Sequence, residues 1–147
     1  MEYAESIRDG RKIACMELQQ AIDRFFRDLD NPNYEIDCKA PEFCIGIIEK
    51  TFCHQQGEKF LLEPFHKFII YNLVGFRLTG TDIVRFHEAL IFIPRKNIKT
   101  SFAASLAWAL GLWYRKSGSK VYITSAALQQ SLESFDFLKY NIERMKL

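Results

Sequence analysis

Residues 93–101, in the order IPRKNIKTS, have the types and spacing that bind phosphate. An apolar run at residues 89–93 leads into them, and a helical pattern follows from about residue 99 to 114. The first turn of a helix has unpaired N–H groups and the positive end of the helix dipole, so a phosphate binds there readily. Lys99 would neutralise charge on the β- and γ-phosphates of a nucleotide, and the Thr100 hydroxyl would coordinate Mg²⁺. The segment therefore predicts a phosphate-binding P-loop.

Two positions of this segment differ from the standard pattern GxxxxGK[ST]. Ile93 and Ile98 stand where that pattern has its two glycines. The glycine before the lysine normally supplies a backbone conformation that a β-branched residue adopts only with strain. The alternative interpretation is a buried strand that leads into a helix whose first turn carries Lys and Thr by coincidence.

Residues 94–100 resemble the variant Walker A loop of the large terminase subunit of tailed bacteriophages, usually written PRKNGK[ST]. Residues 62–70, LEPFHKFII, resemble the segment that precedes this loop in the family. The resemblance extends over nearly the whole chain, in the order of the family. It also includes residues 3–6, Gly10, residues 14–15 and 24–29, His54, Gly57, Glu58, residues 121–125 and Gln130.

The resemblance implies the amino-terminal portion of an ATPase domain that uses ATP and Mg²⁺ to move double-stranded DNA into a capsid. It gives catalytic roles to Lys99 and to Arg95, whose counterpart is thought to sense the γ-phosphate or to couple hydrolysis to motion. His66 stands where the family has the glutamine that reads adenine, and an imidazole lacks the paired donor and acceptor of an amide. The predicted metal ligand is Thr100, and the predicted nucleotide-binding residues are Pro94, Arg95, Lys96, Asn97, Ile98, Lys99, Thr100, Ser101 and His66.

Ordinary structural roles remain open for several of these residues. Arg95 and Lys96 could form a solvated basic loop, and the Thr100 hydroxyl could bond to the backbone at the helix start. Asn97 would shape the turn, because Asn tolerates left-handed backbone conformations. His66 lies off the apolar stripe of its helix, which suits either solvent or a nucleotide edge.

The family resemblance also implies partners and a location. The partners are double-stranded DNA, the small terminase subunit, the capsid portal and further copies in a homo-oligomeric ring, with no membrane. The location is the cytoplasm of the bacterial host. In the family, the carboxylates that hold Mg²⁺ and orient water, and a nuclease domain, lie further downstream. We therefore expect a fragment of a longer protein that binds nucleotide but does not hydrolyse it efficiently alone.

Composition sets few limits on function. A chain of 147 residues can bury a core without disulfides or metal, and its net charge of +2 is too small to indicate nucleic acid by itself. No apolar stretch is long enough to span a bilayer, and no signal peptide is recognised at the start. The four cysteines lack zinc-site spacing, which indicates reduced, buried or half-buried thiols.

Periodicity predicts helices at about residues 12–29, 40–52, 64–76, 99–114 and 126–145, and strands at 89–93 and 120–124. The fold class is therefore α/β. An α-helical region, residues 1–61, precedes part of a P-loop NTPase core, residues 62–147, with parallel strands and crossover helices. Arg115, Lys116 and Lys120 follow the P-loop helix, where they are surface charges or contacts to the DNA backbone.

Two other functions remain open at this stage. A truncated, non-catalytic remnant or docking module would keep the fold without nucleotide chemistry, as Ile98 and His66 would allow. Another P-loop DNA translocase, such as a helicase, would share the same core.

Overall fold

The structure is a computed structural model that describes residues 2–54, 56–94, 97–114 and 120–145. Backbone contacts divide the chain into unit 1, Met1–Pro41 with Leu62–Ala89, and unit 2, Glu42–Leu61 with Leu90–Leu147. A π-helical turn, Tyr71–Gly75, continues the fourth helix. In chain order the elements are α1 (Glu2–Arg8), α2 (Met16–Leu29), β1 (Tyr34–Ile36), α3 (Lys39–Thr51), α4 (Pro64–Ile70), β2 (Phe76–Leu78), α5 (Lys99–Tyr114) and α6 (Leu128–Arg144).

The core of unit 1 is built on the apolar face of α2. Ile22 and Phe25 are fully or almost fully buried because they share one side of that helix. Ala4 and Ile7 of α1 pack into the same cluster as Ile22. The Phe25 ring makes edge contacts, with centroids about 5.5 Å apart, to Phe26, Phe68 and Phe76.

Strands β1 and β2 form an antiparallel pair in which Tyr34 lies opposite Leu78. The sequence predicted helix as far as residue 76, but the α-helix ends at Ile70, and β2 begins after the π-helical turn. Gly75 weakens a helix, and its backbone approaches Pro41 so closely that an added Cβ would lie 3.3 Å from that ring. Cross-strand hydrogen bonds therefore override the helical pattern of the apolar residues.

Ion pairs of Arg85 and Arg77 with carboxylates stabilise the surroundings of this sheet. Arg85 pairs with Asp28, which is buried on α2, and the Arg85 guanidinium also lies 4.3 Å from the centre of the Tyr34 ring. Burial, together with nearby arginines, lowers the pKa of Arg85. Arg77 of β2 contacts Asp37 at 3.0 Å. Both arginines are largely buried, so each needs its carboxylate partner to offset the loss of hydration.

Unit 2 is built around α5, which packs against α6. Apolar residues occur all around α5, and its buried residues include Phe102, Leu106 and Ala109. The rings of Phe52 and Phe137 stack with centroids 5.5 Å apart, and other aromatic rings extend this cluster. Its further contacts are Phe52 with Trp108 at 5.2 Å and Phe60 with Phe137 at 5.5 Å.

The side chain of Asn141 joins α6 to the end of α3. Its Oδ1 accepts a hydrogen bond from the Cys53 backbone N–H at 2.7 Å, and its Nδ2 donates to the Cys53 carbonyl at 3.2 Å. Nδ2 also donates to the Phe137 carbonyl at 3.0 Å. Because Asn141 is fully buried, no water can replace these bonds.

The observed helices follow the predicted ones closely in unit 2 and less closely in unit 1. Helix α5 has the predicted limits, and α3 and α6 differ from theirs by one or two residues at each end. Helix α2 begins four residues later than predicted. Periodicity did not predict α1, which lies in the region expected to be helical, and β1 and β2 were not predicted.

The two segments predicted as strands on either side of α5, residues 89–93 and 120–124, do not form strands. Leu90 and Phe92 are 95% and 94% exposed, whereas Ile91 and Ile93 are half-buried. This alternation has the period of a strand, but a strand needs a neighbour for its backbone hydrogen bonds. Within the described residues the only sheet is the antiparallel pair β1–β2, so the parallel core stays a prediction.

Among the helices of the described residues, none is long and apolar enough to cross a membrane.

We expect two of the four cysteines to react rapidly with a thiol reagent in the native protein. Cys15 and Cys38 are exposed, which corrects the prediction that all the thiols are buried or half-buried. Cys44 and Cys53 are buried, and burial raises the pKa of Cys44 to about 11, so its reactive thiolate is scarce at about pH 8. The number of fast-reacting thiols is counted by absorbance before and after denaturation. Cys15→Ser should remove one fast thiol and Cys44→Ser none; equal loss in both would contradict the fold.

We expect Asn141→Ala to lower the free energy of unfolding by about 3 kcal/mol, because it leaves buried backbone groups of Cys53 without their partner. Urea denaturation of the full chain measures this change. Gln129→Ala, at an exposed position of the same helix, serves as the control and should change stability by less than about 0.5 kcal/mol. Similar losses in both variants would show that the amide does not hold Cys53.

Candidate nucleotide-binding site

The residue before α5 has an unusual backbone conformation. Ile98 has φ +45°, the only positive φ at a non-glycine residue in the described part of the chain. Its carbonyl accepts the first hydrogen bond of the helix, from the Phe102 N–H at 2.8 Å. Ile98 stands where the P-loop pattern has glycine. The loop therefore has, at this residue, the left-handed backbone for which glycine is the preferred residue.

Asn97 and Lys99 lie on either side of Ile98 at the start of α5. The Asn97 side-chain amide donates to the Pro94 carbonyl at 3.2 Å. Lys99 begins the helix and is exposed. The first turn of α5 carries no acidic side chain, so no charge on the helix itself offsets the positive end of its dipole. Arg95 and Lys96, predicted to contact phosphate, lie outside the described residues.

A polar pocket of about 530 Å³ lies at the first turn of α5, within unit 2. Thr100 and Ser101, both half-buried, form one wall of it. The loop after α3 and the helix α6 supply the rest. These further lining residues are His54, Gln56, Glu58, Glu133 and Phe137.

A tight turn holds His54 and Glu58 side by side. The His54 N–H donates to the Glu58 carbonyl at 2.8 Å, and the Gly57 N–H donates to the His54 carbonyl at 2.8 Å. Gly57 has φ +89°, which a residue with a Cβ rarely adopts. The His54 ring also packs on Phe60, with centroids 5.0 Å apart. This turn therefore holds His54 and Glu58 at the pocket beside the first turn of α5.

The side chains of this pocket suit a magnesium–phosphate group. Thr100, Ser101, Glu58 and Glu133 offer hydroxyl and carboxylate oxygens, which are the donors that Mg²⁺ prefers. The described residues include no group of three or more His, Cys, Asp or Glu side chains that could hold a metal ion. Mg²⁺ usually keeps several waters and binds through one or two protein oxygens together with substrate phosphates. These oxygens are therefore the pocket atoms that could contribute to a magnesium site shared with a phosphate ligand.

The predicted site residues fall in both units. Thr100 and Ser101 line the pocket, whereas Lys99 is exposed beside them and does not line it. Pro94 is exposed and Ile98 half-buried. His66, the remaining predicted contact, belongs to unit 1.

His66 is buried, so the interpretation of an exposed surface histidine is wrong. It lies in the first turn of α4, where its Nδ1 accepts a hydrogen bond from the Glu63 backbone N–H at 3.2 Å. The spacing of Glu63 and His66 is that of a capping box, a signal that the sequence analysis did not use. The adenine contact stays a prediction.

Sequence reasoning missed the carboxylates of the pocket. Glu58 has only a place in the family resemblance, and the motifs give Glu133 no role. Phe137 follows Glu133 by four residues and is buried in the aromatic cluster, so the two residues share one side of α6. That spacing was the available signal, but it gives no indication that α6 packs against the start of α5.

Unit 1 contains a second cavity of about 390 Å³ with largely apolar walls. Aromatic residues of α1, α2 and α4 surround it, including Tyr3, Phe25 and Phe68. Such walls accept a flat or aliphatic group better than a phosphate.

Comparison with known proteins gives no relative for this chain. No protein-family model matches it, and neither the curated proteins nor the solved structures provide a match. The motifs and the site geometry are therefore the basis for any functional assignment.

We expect Ile98→Gly to be more stable than Ile98→Ala by about 1 kcal/mol. Both substitutions remove the side chain beyond Cβ, and only alanine keeps the Cβ itself. A Cβ in the left-handed region costs about 1–2 kcal/mol. This cost exceeds what alanine gains over glycine from the lower entropy of its unfolded chain. Urea denaturation compares the two variants.

Ala103→Gly, at an exposed position within α5, is the matched control for this comparison. There the order should reverse, with glycine less stable by about 1 kcal/mol. If alanine were also the more stable residue at position 98, the left-handed loop would be wrong.

Proposed function

We propose that this chain is the amino-terminal portion of the ATPase domain of a bacteriophage terminase large subunit. In this proposal it binds ATP with Mg²⁺ and belongs to a motor that moves double-stranded DNA into a capsid. The fold class implied is a partial P-loop core of parallel strands and crossover helices, preceded by a helical region.

The observation that carries the proposal is the left-handed backbone of Ile98, directly before the lysine that begins a 16-residue helix. A β-branched residue pays a conformational cost there, so the surroundings must favour this backbone strongly. A P-loop needs such a bend because it turns successive N–H groups toward the phosphates. A coincidental Lys-Thr at a helix start would need no such conformation.

Each residue of the loop has a defined task in this proposal. Lys99 neutralises the β- and γ-phosphates, and its exposed position lets it reach a ligand at the helix start. Thr100 offers its hydroxyl to Mg²⁺, which neutralises charge on the phosphates when bound. Arg95 suits phosphate oxygens through its guanidinium fork, as in the family. His54 and Ser101 hydrogen-bond to the phosphates or to their bound waters.

The same proposal places the protein in the bacterial cytoplasm, with the small terminase subunit, the capsid portal and other copies of the chain as partners. Hydrolysis requires the additional carboxylates that the family carries on later strands. Binding is the property that the loop residues themselves predict, and it is the property to test first.

A non-catalytic docking module is the second candidate, and the state of His66 favours it. The imidazole that replaces the adenine-reading glutamine is buried, and its Nδ1 is engaged by the backbone of Glu63. In this candidate function, the loop before α5 has only a structural role, and the chain binds no nucleotide.

We expect Mg-ATP to raise the melting temperature of the full chain and Lys99→Ala to remove most of that rise. At a hundred times the dissociation constant a ligand adds about 2.7 kcal/mol of stability, which a thermal-shift assay resolves well. Lys99 is exposed, so the substitution should leave the unliganded melting temperature nearly unchanged.

Lys139→Ala is the control for this experiment, because it removes a similar exposed charge from the interior of α6, outside the loop and the start of α5. It should keep the full response to Mg-ATP. Absence of any shift in the wild-type chain would favour the docking module. An equal shift in all three proteins would place the nucleotide somewhere other than at Lys99.

A further inference from the structure

We infer that Arg24, Arg27 and Arg85 form a binding site for a compact dianion, and that its ligand carries a phosphate monoester group. The three residues belong to unit 1, whereas the loop before α5 belongs to unit 2. Neither the loop motif nor the family resemblance gives these arginines a ligand. The site can therefore be tested separately from the proposed function.

The spacing of residues on α2 brings two of the arginines to one face. Arg24 and Arg27 are three residues apart, and Asp28 follows Arg24 by four, so the three side chains share one side of the helix. Asp28 is buried, whereas both arginines are exposed. Arg85, which follows β2 in the chain, forms an ion pair with Asp28. Its guanidinium therefore lies beside the face of α2 that carries Arg24 and Arg27.

The backbone and an aromatic ring hold two of these guanidiniums in place. The Arg85 N–H donates to the Phe76 carbonyl of β2 at 2.9 Å. The Arg85 guanidinium lies 4.7 Å from the centre of the Phe86 ring, and the Arg24 guanidinium lies 5.2 Å from the centre of the same ring. Cation–π contacts with one ring restrain both side chains before any ligand binds, which lowers the entropy cost of binding.

The cluster carries more positive charge than its own carboxylate neutralises. Burial lowers the pKa of Arg85, and the charges of Arg24 and Arg27 lower it further, which indicates that the guanidiniums repel one another. Asp28 balances one of them. In the part of the chain that the structure describes, neither Arg24 nor Arg27 forms an ion pair. A bound anion of charge about −2 would balance the remaining two.

A phosphate monoester matches both the charge and the geometry of this cluster. At pH 7 such a group carries a charge of about −1.5 to −2 and offers three acceptor oxygens. A guanidinium fork can donate two parallel hydrogen bonds to these oxygens, which a lysine cannot do. Clusters of arginine are a recurring means of recognising phosphorylated groups. The residue types therefore favour phosphate as the ligand group.

A nucleic-acid backbone fits the cluster less well than a single phosphate group does. Such a backbone needs a basic stripe that follows its successive phosphates. Asp23 directly precedes Arg24, and Asp30 follows the last residue of α2; both carboxylates are exposed. They would repel the phosphates on either side of the one that the arginines bind. The surroundings therefore favour one compact anion.

The test measures the dissociation constant of the full chain for inorganic phosphate by phosphorus NMR, at low ionic strength and about pH 8, where the dianion dominates. We expect Arg24→Gln and Arg27→Gln each to weaken binding about threefold to fivefold, as for exposed charged contacts, and the double variant about tenfold. Arg85 stays unchanged in all variants, because the buried Asp28 needs its partner.

Arg11→Gln is the matched control, since it removes an exposed arginine that pairs with Asp9 before α2 begins. It should leave the dissociation constant unchanged. Arg24 and Arg27 are exposed, so their variants should keep the wild-type melting temperature in phosphate-free buffer. That measurement separates a loss of binding from a loss of folding.

The outcomes distinguish this site from the loop before α5. Weaker binding in the two α2 variants, with wild-type affinity in Arg11→Gln and Lys99→Ala, supports the site. No binding by wild type, unchanged affinity in the double α2 variant, or a loss confined to Lys99→Ala overturns it. The response of the chain to Mg-ATP decides the proposed function independently.

Two further ligands identify where the phosphate group comes from. A short phosphoserine peptide that binds much more tightly than inorganic phosphate, and more tightly than its unphosphorylated counterpart, indicates a phosphorylated protein. Equal affinity for the peptide and for inorganic phosphate indicates a small phosphorylated molecule. A DNA duplex that the α2 variants bind more weakly, when inorganic phosphate does not bind at all, would replace the compact anion with a nucleic acid.

Discussion

The candidate site depends on one buried amide. Asn141 completes hydrogen bonds to both backbone groups of Cys53, 88 residues earlier in the chain, much as a neighbouring strand would. This contact positions α6 against the end of α3, and the turn with His54 and Glu58 begins at the next residue. Since the amide is fully buried, its bonds specify one arrangement of helix and turn. The pocket walls follow from that arrangement.

The start of α5 supplies the other constraint on the site. Ile98 adopts the left-handed conformation that a glycine would adopt without cost, and α5 begins at the next residue. The helix then buries Phe102 and Ala109 within unit 2, which fixes its first turn relative to the rest of the unit. Strain at one residue is therefore held in place by the packing of a long helix. Thr100 and Ser101 gain a defined position beside the pocket.

The terminase interpretation comes from sequence motifs, and the geometry adds two considerations to it. Ile98 has the left-handed backbone that the P-loop pattern would give to a glycine at this position. The capping role of His66 explains why a histidine is stable in its helix, although it gives the ring a structural task. The first consideration favours nucleotide binding and the second favours a docking module.

The sequence by itself determined the helices that have a local signal: α5 with its exact limits, α3, α6 and most of α2. It also indicated Thr100 and Ser101, which line the polar pocket, because a Lys-Thr-Ser at a helix start is a local pattern; their role in binding stays a prediction. Only the tertiary structure decided where α4 ends and that β1 pairs with β2. It also decided that His66 is buried and that Glu58 and Glu133 line the pocket at the start of α5. Each of these depends on contacts between residues distant in the sequence, for which hydrophobic periodicity gives no information.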